Sequence, residues 1–166
     1  MISKPDPKIL TCVDVRGNMH KVPVDQLSWQ PGCYAIVVHD GSILLSKQHG
    51  KYVLPGGGPE FGEMMEDAAV RETLEETGIR VANPRLLACK SNLFIMPGID
   101  KPVQSILFFY ACDFTSGQLS VAGLDEHEQT WTEMPEWVRL DKLDSIKAGS
   151  SFEWRDVVKS CLANSR

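Results

Sequence analysis

Short β-type runs separated by turn residues make up much of the first half of the chain. Gly17 and Gly41 stand in turns between pairs of such runs, an arrangement typical of β-hairpins. Residues 30–32 and Pro84 are expected to interrupt the pattern, because proline removes a backbone donor. The predicted strands of this part are residues 9–15, 19–24, 33–39, 43–46, 52–54 and 86–88.

Longer patterns predict the remaining elements. Residues 103–114 form an extended apolar run, which is typical of a strand at the centre of a sheet. Residues 64–77 follow a helical pattern that ends at Gly78, a natural C-cap. Pro135 is expected to open a short helix, and residues 152–163 to form a closing amphipathic helix. The chain therefore mixes strands with helices, as in an α/β or α+β protein.

Size and charge narrow the classes of function. The 166 residues, 43% of them hydrophobic, suffice for one domain with a real core. We expect residues 30–166 to form its main part and residues 1–29 a hairpin extension. The net charge of −5 comes from residues 55–78, which contain seven acidic residues and one basic residue, Arg71. No basic run occurs, so duplex nucleic acid is a poor partner.

The cysteines and the amino terminus indicate a reducing compartment. The five cysteines form no CxxC pair and are odd in number, so core thiols are favoured over disulfides or a zinc site. Neither an apolar leader nor a run of about 18 apolar residues occurs. We therefore expect a soluble, cytoplasmic protein with no membrane partner.

Three carboxylates share one face of the predicted central helix. Glu72, Glu75 and Glu76 stand at i, i+3 and i+4. A charge run is usually a solvated surface. Carboxylates packed this closely repel one another, however, and a hard divalent cation such as Mg2+ would offset the repulsion. Val70, Leu74 and Thr77, on the opposite side, are expected to face the core.

A glycine-rich turn precedes this helix. Gly56, Gly57 and Gly58 lack side chains, so their backbone can approach a ligand closely. A carbonyl here could bind a metal and the amides could meet phosphate oxygens, which makes Gly56 and Gly57 candidate substrate contacts. Arg71 can hold a carboxylate by bidentate hydrogen bonds, although an ordinary surface ion pair is the simpler reading.

Turn and helix together resemble the Nudix box. The family pattern is Gly, five residues, Glu, seven residues, Arg-Glu, an apolar position, one residue, Glu-Glu, one residue, Gly and an apolar residue. The matching residues here are Gly57, Glu63, Arg71, Glu72, Thr73, Glu75, Glu76, Gly78 and Ile79. Thr73 is the one departure, at a usually apolar position, and its methyl group can still pack. By this match the chain is similar to the MutT-like Nudix hydrolase superfamily.

The resemblance implies a fold, a metal and a reaction. The fold would be a Nudix-type α/β/α sandwich around a mixed β-sheet, here with an amino-terminal β-hairpin extension. The reaction would be hydrolysis, dependent on Mg2+ or Mn2+, of a pyrophosphate bond in a nucleoside diphosphate linked to another moiety. A metal-activated water would attack. The implied metal ligands are Glu72, Glu75, Glu76 and the Gly57 carbonyl, and Arg71 and Glu63 would brace the loop and the helix.

The general base lies outside the box in several Nudix groups. Residues 125–128 offer acidic side chains after the sheet. Glu126 is the first choice, Glu128 the second and Glu72 the third, and a solvated acidic loop is the alternative explanation of this segment. His127 is better explained as a loop histidine than as a catalyst.

Substrate contacts lie outside the box. Tyr34, Phe61, Trp131 and the loop 94–101 are candidates because an aromatic ring can stack on a base, although each is more often a packing residue. The expected partner is a small nucleotide-type diphosphate. The amino-terminal hairpin could cover a sheet edge, form a homodimer contact or overhang the pocket.

Two other functions stay open. The main alternative is a non-catalytic Nudix module that senses a nucleotide-like ligand; such modules often lose box carboxylates, and here the box is intact. A Nudix-fold isomerase of prenyl diphosphates would need a cysteine and an acidic pair in a deep pocket, for which Cys33 and Cys89 are candidates.

Overall fold

A mixed β-sheet between two helices forms the body of the protein. The structure is a computed structural model that describes residues 7–14, 16–96, 100–126, 128–149 and 152–164. Its strands are β1 (Ile9–Val13), β2 (Met19–Pro23), β3 (Ser28–His39), β4 (Ser42–Gln48), β5 (Lys51–Val53), β6 (Gly56–Gly57), β7 (Ile79–Met96), β8 (Lys101–Gly117) and β9 (Thr132–Arg139). Its helices are α1 (Met65–Thr77) and α2 (Trp154–Asn164). The α+β class and both long helices are confirmed.

Three sequence predictions extend beyond the described residues. Val15 of the first predicted strand, residues 97–99 of the candidate loop, and His127 lie outside them. Neither helix in the described ranges is long and apolar enough to cross a membrane.

Strand β8 lies at the centre of the sheet. The hydrogen-bonded order is β2-β1-β7-β8-β3-β4-β5, with β6 paired to β3 and β9 paired to β4. Because β8 pairs in parallel with β3 and antiparallel with β7, both of its edges are covered. The prediction of a central strand from the long apolar run is confirmed.

The two helices cover opposite faces of the sheet. On β3, Cys33, Ala35 and Val37 pack in one core cluster with α1. Ile36 packs in the other cluster with Trp154 of α2. Successive side chains of a strand point to opposite faces, so this division places the sheet between the helices. The predicted sandwich is confirmed.

The buried face of helix α1 matches the predicted one only in part. Its buried residues are Ala68, Ala69, Thr73, Glu76 and Thr77. Of the expected core residues, Thr77 is buried as predicted, whereas Val70 and Leu74 are only half-buried. The two alanines let the helix approach the sheet closely, and Thr73 Oγ1 satisfies its hydroxyl by donating to the Ala69 carbonyl at 2.6 Å. The same rotation of the helix buries Glu76 beside the sheet.

Three prolines that were expected to break the strand pattern or to open a helix, Pro31, Pro84 and Pro135, lie within strands. Residues 30–32 belong to β3 and pair with β8 along one edge, and no other described strand pairs with them. The missing N–H of Pro31 therefore need not belong to a ladder. Pro84 and Pro135 coincide with pairing irregularities, of β7 with β8 and of β9 with β4. Proline is tolerated at such bulges, so Pro135 continues a strand instead of opening a helix.

The predicted amino-terminal hairpin is confirmed and extends the sheet at one edge. Strands β1 and β2 pair antiparallel over their full length. Strand β1 also joins β7 in parallel at Val13 and Phe94. Cys12, Val22 and Ile95 form a small core cluster beneath this junction. Of the three roles considered for the hairpin, covering a sheet edge is the one this pairing provides.

The cysteines form no disulfide. All five are free thiols: Cys12, Cys33 and Cys112 are buried, Cys161 is half-buried and Cys89 is exposed. The prediction of core thiols is therefore confirmed for three of the five.

Candidate active site

Arg71 ties the glycine turn to helix α1. Its Nε and Nη2 donate to the two oxygens of Glu63 at 2.8 and 2.9 Å. Nη1 donates to Glu72 Oε1 at 2.9 Å and to Glu75 Oε2 at 2.8 Å. Nη2 also donates to the Gly58 carbonyl at 3.1 Å. All five N–H donors of the guanidinium are therefore used.

The same contacts favour the charged forms of Glu63 and Arg71. Hydrogen bonds from Arg71 hold the pKa of Glu63 below its usual value. The pKa of Arg71 is raised in turn, with its bonds to Glu63 as the largest cause. Glu63 also accepts the Glu60 N–H at 2.9 Å, which fixes the loop between the turn and the helix. Arg71 and Glu63 thus form a charged clasp between loop and helix.

Glu76 is the most buried of the three α1 carboxylates. It is 7% exposed. Gly56 N–H donates to its Oε2 at 3.2 Å, and Gln48 Nε2 donates to its Oε1 at 3.4 Å. Burial is the largest cause that raises the pKa of Glu76 to about 8, and the charges of Glu72 and Glu128 act in the same direction.

Glu72 packs directly on the glycine turn. A Cβ atom added at Gly57 would lie 2.6 Å from Glu72 Oε1, so only glycine leaves room for this carboxylate. Burial is the main cause that raises the pKa of Glu72. The Glu75 side chain is more open, at 40% exposure. At Gly56, whose φ is 149°, a Cβ would overlap the Cys33 carbonyl.

The three carboxylates suit a divalent cation by their chemistry. Among the described residues no group of three His, Cys, Asp or Glu side chains is arranged to hold a metal ion. Arg71 explains this, because it engages Glu72 and Glu75 while Glu76 faces Gly56 N–H. Carboxylate oxygens are nevertheless the preferred ligands of Mg2+, and buried carboxyls with raised pKa are stabilised as anions by a nearby positive charge. Glu72, Glu75 and Glu76 could therefore hold such a cation.

Glu128 acts electrostatically on this cluster. Its charge contributes to the raised pKa of both Glu72 and Glu76. Reciprocal bonds with Asp125 hold it: Glu128 N–H donates to Asp125 Oδ1 at 2.7 Å, and Asp125 N–H donates to Glu128 Oε2 at 3.2 Å. Glu126 lies on the same segment and is exposed.

The aromatic candidates have different surroundings. Tyr34 stacks on Phe109 with ring centroids 5.6 Å apart, and burial raises its pKa to about 12. It borders an apolar cavity lined by Tyr34, Val53, Leu54, Leu107, Phe109, Phe152 and Trp154.

Phe61 is fully exposed, whereas Trp131 is half-buried and its carbonyl accepts the His49 N–H at 3.1 Å. The loop expected at 94–101 is shorter, because residues 94–96 belong to β7 and residue 101 to β8.

Two polar residues of β4 are absent from the sequence-based site. Gln48 bonds Glu76, and the fully buried Ser46 has its hydroxyl close enough to the Glu76 carboxyl to lower its pKa. Strand alternation indicates that Ser46 and Gln48 share a face. No sequence pattern indicates that this face meets α1.

Comparisons with known proteins agree with the box. A family model described as the NUDIX domain matches residues 29–156. An uncharacterised Nudix hydrolase, YvcI of Bacillus subtilis, is 36% identical over 94 residues, which are 55% of this chain and 58% of that protein. The NAD-capped RNA hydrolase NudC of Pasteurella multocida is 31% identical over 104 residues, 60% of this chain and 36% of that protein. This chain thus spans only part of the length of either relative.

A solved structure extends the similarity to three dimensions. The crystal structure of a MutT protein from Bacillus halodurans superposes with a TM-score of 0.60 at 28% identity, covering 76% of this chain and 78% of that one. The fold of this chain is therefore shared with that protein over 76% of its length.

Proposed function

The chain belongs to the NUDIX domain family of hydrolases, and we propose that it hydrolyses a pyrophosphate bond in a nucleoside diphosphate linked to another moiety. The observation that carries the proposal is the contact of the glycine turn with α1, where Gly57 lies against Glu72 and Arg71 clasps loop and helix. The turn brings a backbone carbonyl close to three carboxylates, Glu72, Glu75 and Glu76, and oxygen ligands of this kind are those that Mg2+ prefers.

The proposed roles follow from the chemistry of each group. A bound Mg2+ or Mn2+ would offset the charge of the pyrophosphate and lower the pKa of a coordinated water. Glu72, Glu75 and Glu76, with the Gly57 carbonyl, would hold that cation. Arg71 would keep the carboxylates in register with the turn.

Glu128 becomes the preferred general base. Its charge acts on both Glu72 and Glu76, and its bonds with Asp125 orient it. Glu126 is the second choice. We expect Glu128→Gln to lower kcat about 10²-fold or more and Glu126→Gln to change it little, as measured across pH. A larger loss from Glu126→Gln would reverse the assignment.

The substrate's second moiety is proposed to lie toward Tyr34. This ring is placed next to Gly56, since a Cβ there would lie 2.9 Å from Tyr34 Cδ1, and it borders the apolar cavity. Exposed Phe61 is a second candidate for stacking. A panel of nucleoside triphosphates, dinucleoside polyphosphates, nucleotide sugars, ADP-ribose and NADH with Mg2+ tests this. The similarity to NudC makes NADH the first compound to try. If the second moiety of the substrate contacts Tyr34, Tyr34→Leu should lower kcat/KM for whichever compound is cleaved.

The competing functions have less support. A non-catalytic sensor would bind its ligand without turnover, and no feature of the described residues specifically favours this alternative. For the isomerase, Cys33 is buried with its thiol pKa raised to about 11, mainly by burial, and its Sγ contacts Met65 Sδ at 3.6 Å. Cys89 is exposed on the sheet and not in a deep pocket. Cytoplasmic location, homodimer formation and the exclusion of duplex nucleic acid stay predictions from the sequence.

The deciding experiment replaces single carboxylates. Glu75→Gln and Glu76→Gln are expected to keep the fold and lower kcat by several orders of magnitude with Mg2+. Glu66→Gln is the matched control, because Glu66 is exposed on the same helix. Near-normal kcat in either of the first two variants would remove the metal-ligand assignment.

A further inference from the structure

Ser46 carries a buried hydroxyl whose bonding is incomplete. The residue is 0% exposed, and its Oγ has no hydrogen-bond partner of normal geometry. A buried hydroxyl in this state is destabilising, so it needs an explanation. Its hydroxyl is close enough to the Glu76 carboxyl to lower the pKa of that group.

Strand β4 presents a second donor to the same carboxyl. Gln48 Nε2 donates to Glu76 Oε1 at 3.4 Å. Ser46 and Gln48 are two residues apart on the strand and therefore point to the same face. Lys47, between them, points to the other face, where it pairs with Glu133 at 3.1 Å.

A pairing irregularity falls at the same point of β4. The register with β9 changes between Leu45 and Lys47, so that Met134 and Pro135 together lie opposite Ser46. Bulges often sit beside functional sites, where they re-aim a side chain. The irregularity and the under-bonded hydroxyl thus coincide at one residue that faces the box helix.

We propose that Ser46 and Gln48 are positioning residues that orient Glu76 for the divalent cation, an inference that rests on the proposed metal-binding function. Gln48 holds Oε1 and Gly56 N–H holds Oε2, so the rotation of the carboxylate is restricted from two sides. The Ser46 hydroxyl supplies a third donor when the carboxylate shifts toward the cation. Side chains that orient metal ligands in this way tune metal affinity without touching the metal.

The test measures Mn2+ binding to purified full-length protein by electron paramagnetic resonance, without substrate. Ser46→Ala and Gln48→Met should each weaken Mn2+ affinity about 10-fold or more. The melting temperature before Mn2+ addition should be unchanged or higher in Ser46→Ala, because an under-bonded buried hydroxyl is removed. Lys47→Met is the matched control on the opposite face and should bind Mn2+ as the wild type does.

Glu76→Gln distinguishes failure of the positioning role from failure of the metal site itself. If the wild type binds Mn2+ and Glu76→Gln weakens binding, while Ser46→Ala and Gln48→Met bind normally, the positioning role is overturned and the metal site stands. If Glu76→Gln binds Mn2+ as tightly as the wild type, the metal-ligand assignment fails, and the positioning role fails with it. An equal loss in Lys47→Met would show a general effect of β4 and would also overturn the proposal.

Discussion

Replacing Gly57 by alanine should separate activity from stability. The backbone of Gly57 lies outside the left-handed region, so alanine can adopt it. The new Cβ would lie 2.6 Å from Glu72 Oε1, 2.7 Å from its Cδ and 2.8 Å from its Oε2. Ordinary contact begins at 3.4 Å, so the carboxylate must move by about 0.8 Å.

The expected cost lies almost entirely in function. A displacement of about 1 Å in a reacting group can lower the rate about 10²-fold, so kcat/KM should fall by about that factor. The free energy of unfolding should change by less than about 1 kcal/mol, because the clash involves the end of a flexible side chain and alanine restricts the unfolded chain. The assay compares kcat/KM at saturating Mg2+ with urea unfolding.

Gly123→Ala is the control with the opposite expectation. A Cβ at Gly123 would lie 2.7 Å from the Cα and carbonyl oxygen of Glu75, which are backbone atoms and cannot swing away. This variant should lose stability. If Gly57→Ala keeps activity within about threefold of the wild type, the close contact with Glu72 is not needed and the reasoning is refuted.

Three further outcomes are expected. Arg71→Lys should lower kcat/KM about 10²-fold with the fold retained by circular dichroism, because one ammonium cannot reproduce the five directed donors of the guanidinium. Iodoacetamide should label exposed Cys89 on the native protein and leave Cys33 unmodified until denaturant is added, as mass spectrometry of peptides would check. Carbon-detected NMR should give Asp113 a pKa of about 2, lowered mainly by Arg85, and Arg85→Met should return it toward the ordinary value. Because this pKa is depressed in the fold, the stabilisation from the Asp113 pair is present above about pH 4 and is lost as pH falls toward 2.

Local patterns were sufficient for the elements whose signals are local. The helix before Gly78 ends as expected, because φ of 71° at this residue is readily adopted by glycine. The predictions at prolines were wrong where pairing with a distant strand, and not the local sequence, determines the secondary structure. Pro31 sits in a part of β3 that is paired on one edge and Pro135 at a pairing irregularity, and neither partner strand is close in sequence. Pairing between distant strands has no local signature.

In the candidate site too, the residues set by local spacing were predictable and those set by tertiary packing were not. Spacing alone identified Glu72, Glu75 and Glu76, because the helical period fixes which side chains are neighbours. The rotation of α1 about its axis was not predictable from that period: Ala68 and Ala69 are fully buried, whereas Val70 and Leu74 are only half-buried. The contribution of β4 to the site depends on that rotation, so it too required the structure.

Arg71 and a divalent cation would both bind the carboxylates of Glu72 and Glu75. Nη1 donates to Glu72 and Glu75, the side chains proposed as metal ligands. The other three donors go to Glu63 and the Gly58 carbonyl, which are not among those ligands. Arg71 can therefore release Nη1 contacts to a cation and still clasp the loop to the helix. A lysine would lose its hold on the loop when it released the carboxylates, which is why the fork of the guanidinium suits this position.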